Sequence, residues 1–351
     1  MKKRFPPSAK AAGFLLEVDV CSTAAVTAFF GASGAGKTLA LDALAGFLRP
    51  DEGRIMLGDD LVFDGATNVH LKPQQRRCGY VFQTCSLFPH LTVRQNLEFA
   101  AEFRPKLERY RRVNEMMERL RLDELAGRRP AELSLEQKKL CTLARALLSQ
   151  PRLLLLDDPS SGLDPSRRAQ LHATLREIQR DLAIPMVVAS RDFATCHELA
   201  QRLFVFHQGR ILQQGAPEEI FDRPASAEVA RLLGVYNLLP AEVLTLDPGR
   251  NRSSIQFDGY ELTGPYLPGK FKGDRVWLCV RPEEIRVLPR AGRPAVNQVP
   301  VDFQGATARP GAVRLSFSRG ILADMPREEY EQQKHHKEWL VEFPSTRLRV
   351  L

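Results

Sequence analysis

The sequence predicts an α/β fold, a parallel sheet covered by helices, followed by a smaller region of short strands. Three observations carry that expectation. Apolar, strand-like runs alternate with helical periodicities through about the first 235 residues, the pattern of parallel strands joined by crossover helices. A glycine-rich segment, Gly31–Thr38, stands between one such run and the helix after it. Beyond Gly234–Pro240 the runs become short, alternating and turn-rich, and 11 of the 24 prolines fall in the last 116 residues, which suits a β module.

The elements follow in order. Ala24–Phe30 is apolar throughout and stops at Gly31, as a fully buried strand does. Thr38–Leu48 carries Leu39, Leu41, Leu44, Phe47 and Leu48 at helical spacing before Pro50. Arg54–Leu57 and Gly79–Phe82 read as short strands. Glu108–Arg121 sets Val113, Met116, Met117 and Leu120 on one face of a charged helix, and packing accounts for both methionines. Gln137–Ser149 is a further helix; Leu153–Leu156 and Met186–Ala189 are buried strands. In the second part, Val276–Val280, Ile285–Leu288, Val299–Phe303, Val313–Phe317 and Trp339–Phe343 fit strands, with Val313, Leu315 and Phe317 turned inward and Arg314, Ser316 and Ser318 outward.

Composition narrows the function classes. The 351 residues suggest about two domains, and 44% hydrophobic with 26% charged residues is globular. The longest aliphatic run is Leu153–Leu156, far short of the ~20 residues a membrane span needs. Met1–Lys10 is basic but no apolar stretch follows it, so a secretory signal is not expected. The net charge of +8 is spread, with 33 basic against 28 acidic residues before Tyr236 and 17 against 14 from it onward. No basic stripe of the kind that grips nucleic acid stands out, so none is expected as a partner. The six cysteines form no C-x-x-C pair and read as small core hydrophobes. His335–His336 reads as a solvated pair.

The chemistry gathers at two segments. Gly31, Ala32, Ser33, Gly34, Ala35, Gly36, Lys37 and Thr38 fit G-x-x-x-x-G-K-[ST] in full, between a strand and a helix. Glycines let successive N–H groups curl round an anion, and the helix N-terminus adds positive dipole. Lys37 can reach the β- and γ-phosphates of a nucleotide, and the Thr38 hydroxyl can ligate Mg²⁺. The other half of such a site is an acid at the end of a neighbouring strand, and Leu153–Leu156 runs into Asp157 and Asp158. Asp157 is expected to hold the metal's water shell and Asp158 to face the attacking water.

With these segments in place the chain resembles the ATP-binding subunits of ABC transporters, over about residues 12–235. Gly79-Tyr80-Val81-Phe82-Gln83 resembles the family's Gln loop, which implies that Gln83 contacts Mg²⁺ and water. Leu87–Val93 with Asn96-Leu97 resembles the stretch after that loop in importers. Leu133-Ser134-Leu135-Glu136-Gln137 with Leu143–Leu147 occupies the signature position, which implies nucleotide contact by Ser134 and Gln137. Ser161-Gly162-Leu163-Asp164 resembles the dimer-contact loop, and Gln208–Ile211 with Gly215–Ile220 the family's ending. Downstream, Gly273-Asp274 and Val280–Ile285 resemble the accessory domain of importer subunits for oxyanions, iron, polyamines and sugars. The opening, Phe14–Asp19 into Thr27–Gly31, resembles the molybdate branch.

The resemblance implies an ABC-type α/β P-loop NTPase over 1–235, with a helical subdomain at about 86–150, and a small all-β, OB-like accessory domain over 236–351. It implies ATP and Mg²⁺ as cofactors and a homodimer or heterodimer that sandwiches nucleotide between Lys37 of one protomer and Ser134 of the other. It further implies separate membrane permease subunits docked near Gln83 and Phe88–His90, a periplasmic solute receptor acting through them, and a peripheral place at the cytoplasmic membrane face. ATP hydrolysis would drive uptake of a small solute, an oxyanion such as molybdate. An ABC protein of DNA repair or translation fits less well, because it would lack the β module. The aromatic that stacks adenine in the family falls on Phe5 or Phe14.

Three departures fall where chemistry is expected. Leu135 and Glu136 replace the two signature glycines; a Cβ limits close backbone approach, and Glu136 adds a charge. The usual catalytic Glu is Asp158, one methylene shorter. The usual switch His is Arg191, which only donates and stays charged but can steady γ-phosphate charge as an arginine finger does. These departures leave a second reading, an ATP-gated subunit that hardly turns over.

Overall fold

A computed structural model of the chain describes residues 1–7, 13–290, 293–336 and 338–351. The chain divides into two units, Met1–Arg223 and Pro224–Leu351. The sequence expectation put the division after residue 235. It comes earlier because the helix Ala227–Leu233 packs on the first strand of the second unit, with Arg231 5.0 Å over the Trp277 ring.

The first unit opens with an antiparallel pair, β1 (Lys2–Phe5) and β2 (Phe14–Glu17), then β3 (Val26–Phe30) and α1 (Lys37–Ala45). A small antiparallel sheet follows, β4 (Arg54–Leu57), β5 (Asp60–Asp64) and β6 (Val69–His70), then α2 (Pro73–Arg76) and β7 (Cys78–Val81). The helices α3 (Val93–Ala100), α4 (Lys106–Arg119) and α5 (Leu135–Leu148) fill the interval before β8 (Leu153–Asp157). Then come α6 (Pro165–Leu182), β9 (Met186–Ser190), α7 (Phe193–Leu199), β10 (Arg202–His207), β11 (Arg210–Gly215) and α8 (Pro217–Asp222). The interval expected to be helical, about 86–150, holds α3 to α5, and α4 buries Val113 and Met117 as its spacing predicts.

The main sheet has the order β11-β10-β3-β9-β8-β7. From β10 to β7 every pairing is parallel; β11 returns antiparallel at the edge. β3 and β9 are buried at every residue, which is why they read as unbroken apolar runs rather than alternations. Phe29, Leu41, Leu155, Ala189, Phe204 and Phe206 belong to the core on one face. Parallel pairing has a functional consequence. The carboxyl ends of β3, β9, β8 and β7 all lie along one rim, and loops from neighbouring strands meet there.

The second unit is α9 (Ala227–Leu233) followed by β structure. β12 (Asn237–Asp247), β13 (Arg252–Phe257), β14 (Tyr260–Gly264), β15 (Arg275–Val280), β16 (Arg286–Pro289), β17 (Gln298–Val301), β18 (Phe303–Arg309), β19 (Ala312–Phe317) and β20 (Leu322–Pro326) precede α10 (Arg327–Gln333), β21 (Trp339–Glu342) and β22 (Arg349–Val350). They form sheets ordered β14-β13-β12-β15-β22, β16-β21-β17 and β18-β19-β20. Val313, Leu315 and Phe317 of β19 are buried as their alternation predicts. Arg314 differs from expectation: it does not stand free in water but clasps Asp324 of β20 at 2.7 and 2.6 Å.

The cysteines differ in part. All six are free thiols. Cys141, Cys196 and Cys279 are buried, Cys78 and Cys85 half-buried, and Cys21 is exposed and so is no core residue. His335 and His336 are both exposed. Among the described residues no helix is long and apolar enough to cross a membrane.

Candidate functional site

The glycine-rich loop leaves β3 under steric orders. A Cβ at Gly31 would lie 2.2 Å from the Phe206 carbonyl oxygen, and Gly36 sits at φ 103° with Leu16 closing the space where a Cβ would go. Only glycine meets both demands. Gly36 then caps α1, whose first bond runs from Ala40 N–H to its carbonyl. The Lys37 ammonium folds back over the loop and donates to the Gly31 and Ala32 carbonyls, 2.8 Å each.

The acids meet this loop because β8 lies two strands from β3. The Thr38 hydroxyl donates to Asp157 Oδ2 at 2.9 Å. Asp158 adopts φ 47°, a left-handed conformation that Asp tolerates better than most residues. There Oδ1 accepts from the Ser190 hydroxyl at 3.4 Å, and Oδ2 lies 3.3 Å from Arg191 Nε. Gln83 stands just past the end of β7. Tyr80 and Phe82 stack beside it at 4.1 Å, and the Tyr80 hydroxyl donates to Asp42 of α1 at 3.0 Å.

Ser33, Gly34, Gly36, Lys37, Thr38, Gln83, Asp157, Asp158 and Arg191 line one cleft of about 170 Å³, with Leu39. Gly31 and Ala35 are buried and Ala32 is exposed, and none of the three lines it. The charges alternate: ammonium and guanidinium beside two carboxylates. Burial lowers the Lys37 pKa, partly offset by Asp158 and Asp157. Burial likewise raises that of Asp157, against the Thr38 hydrogen bond. Each group therefore gains from an ionised partner entering the cleft. Thr38, Asp157 and Gln83 offer only oxygen donors or an amide, the set a hard divalent cation prefers. No group of three or more His, Cys, Asp or Glu residues able to hold a metal occurs among the described residues. Those few donors suit a cation whose shell is completed by phosphate and water.

Ser134 and Gln137 do not line this cleft. They close the N-terminus of α5 on each other: Ser134 Oγ accepts from Gln137 N–H at 3.2 Å, and Gln137 Oε1 accepts from Ser134 N–H at 2.9 Å, a capping box. Phe14 packs its ring edge toward Gly36 and Gly209, and Phe5 lies 6.2 Å from it. Sequence reasoning missed two supports of the cleft. The sequence gives Ser190 no role beyond standing next to Arg191 at the switch, and Arg76 carries no signal at all. Arg76 is fully buried and donates to the Ala43 and Leu44 carbonyls at the far end of α1. A short Pro-initiated helix before a half-buried strand gives no hint of that role.

Comparison with known proteins bears on this geometry. A sequence profile described as ABC transporter matches residues 20–161. The chain is 36% identical over 277 residues to the molybdenum import ATP-binding protein ModC of Paramagnetospirillum magneticum, covering 78% of this chain and 75% of that one. It is 38% identical over 264 residues to the spermidine/putrescine import ATP-binding protein PotA of Oleidesulfovibrio alaskensis, covering 73% and 68%. Among solved structures, cbiO1 of Clostridium perfringens, part of an ABC transporter complex, superposes with a TM-score of 0.55 at 28% identity, covering 65% of this chain and 90% of that one.

Proposed function

Because this chain belongs to the ABC transporter family as an importer-type ATP-binding subunit, we propose that it drives uptake of an oxyanion, molybdate, through separate permease subunits at the cytoplasmic membrane face. The convergence of Lys37, Thr38, Asp157 and Asp158 on one cleft carries the nucleotide half of this reading. The similarity to molybdenum import proteins supports the solute. The exposed rings of Phe99 and Phe103, with Leu107 and Tyr110, support permease docking on the helical insertion. Phe88 meets Phe99 at 4.7 Å and lies under Arg145.

The chain is a transport-coupled ATPase, and its residues divide the work. Backbone N–H groups from Ser33 to Thr38 take the phosphate oxygens, and Lys37 exchanges its two carbonyl contacts for β- and γ-phosphate. Thr38, Asp157 and Gln83 are the residues that would hold Mg²⁺, and the ion would neutralise phosphate charge there. Asp158 orients the attacking water and receives its proton, while Arg191 steadies the γ-phosphoryl oxygens. The helix end at Ser134 completes the site on a partner protomer. We infer that Leu135, Glu136, Asp158 and Arg191 slow this turnover relative to the standard motifs.

The test joins both halves. In cells lacking their own molybdate ATPase subunit but retaining its permease and receptor, the chain restores molybdenum uptake from scarce molybdate, and Lys37→Ala does not. In the purified protein Lys37→Ala cuts phosphate release by about 10²-fold or more. Restored polyamine uptake without molybdenum uptake would overturn the solute. Unchanged phosphate release in the lysine variant would overturn the site.

A further inference from the structure

The two residues that replace the signature glycines both find partners on one neighbouring segment, a loop and the helix turn that follows it. Leu135 lies over Gly162, where a Cβ would come 2.9 Å from Leu135 Cδ2. Glu136 does not extend into solvent: its carboxylate lies 3.6 Å from Arg167 Nε, and its side chain is only 22% exposed. The same Nε lies 3.3 Å from Asp164, whose other oxygen caps α6 by accepting from Arg167 N–H at 3.0 Å. The altered signature thus rests on the Ser161–Asp164 loop and the first turn of α6 in its own protomer, by an apolar contact to Gly162 at one residue and an ion pair to Arg167 at the next.

We propose that Arg167 is a positioning residue for nucleotide-driven dimer closure: it draws the Glu136 carboxylate sideways and partly offsets its charge, so that the N-terminus of α5 still accepts a partner's triphosphate. The inference rests on the sandwich reading above and deepens it. A helix N-terminus favours an anion through its free amides and dipole, and a carboxylate in its first turn opposes a second anion. Removing Arg167 leaves Glu136 and Asp164 facing the triphosphate without their shared counter-charge. A like charge a few ångströms away weakens an interaction on the order of tenfold in a partly screened setting. Arg167 makes no contact with the cleft of its own protomer, so nucleotide binding by the monomer is independent of it.

Two measurements on the full chain test this: ATP-dependent dimerisation by light scattering in magnesium-free buffer, and ADP binding by calorimetry. Arg167→Gln raises the protein concentration for half-dimerisation about tenfold and leaves ADP affinity unchanged. Arg167→Lys stays near the unmodified protein. Adding Glu136→Gln to Arg167→Gln restores dimerisation to within about twofold. An Arg167→Gln protein that dimerises normally, one that Glu136→Gln fails to rescue, or one that also loses ADP affinity would each overturn the inference and leave the sandwich standing. An unmodified chain that stays monomeric at saturating ATP would overturn the sandwich and the inference with it.

Discussion

At the residue scale the cleft turns on the reach of one carboxylate. Asp158 is held from both sides, by Ser190 Oγ and Arg191 Nε, on a left-handed backbone that aims a short arm. A group misplaced by ~1 Å can cost about 10² in rate. Asp158→Asn therefore abolishes turnover, with phosphate release down about 10²-fold or more and ATP still bound. Asp158→Glu restores the longer arm and raises release up to about tenfold; single-turnover phosphate assays distinguish the two. The cradle itself was legible because Gly31–Thr38 is a contiguous motif whose spacing is its geometry. The Ser190 and Arg191 contacts were not, because they depend on β8 and β9 lying side by side, which no local spacing reports.

At the element scale α1 is pinned at both ends. Its N-terminus opens the phosphate loop, and Arg76 holds its C-terminus through Ala43 and Leu44 while also donating to the Leu71 carbonyl at 2.9 Å. Arg76→Met strands the buried Ala43 carbonyl and the part-buried Leu44 and Leu71 carbonyls and lowers stability by about 3 kcal/mol, measured by urea unfolding. His70 Nδ1 lies 3.2 Å from Arg76 Nη2, and burial, then Arg76 and Arg49, hold its pKa below the ordinary imidazole value. The folded protein thus binds fewer protons here than the unfolded chain. Stability from this site is present above the ordinary imidazole pKa and is lost as pH falls through the folded one. Urea midpoints should drop across that window, and His70→Asn should flatten the drop. Elements with a strong period were readable: Arg54–Leu57 is β4 end for end. β1 was not, because Lys2–Phe5 carries three basic residues and becomes a strand only by pairing with Phe14–Glu17. β13 and β14 were missed for a similar reason; polar Ser253 and Ser254 are buried by sheet pairing that their composition does not announce.

At the scale of the whole molecule, each unit carries its own core. Leu278, Phe317, Trp339 and Phe343 lie within that of the second, and Phe29, Leu155 and Phe206 within that of the first. Calorimetry should therefore show two melting transitions. ATP at about 100 times its dissociation constant should stabilise only one of them, by about 2.7 kcal/mol. An ATP shift in both would mean the units unfold together. The change from long apolar runs to short alternating ones marked the β unit in the sequence. It did not mark the boundary, because α9 reads as a helix like those before it and only its packing on β12 assigns it to the second unit.

Gln83 hangs from β7, the outermost strand of the main sheet, which is bonded on one side only. The three-helix insertion begins directly after it. Whatever fills the cleft therefore tugs on an edge strand rather than on the clamped middle of the sheet. Displacement leaves the molecule along that loose margin, like slack drawn through the selvedge of a cloth whose weave stays fixed.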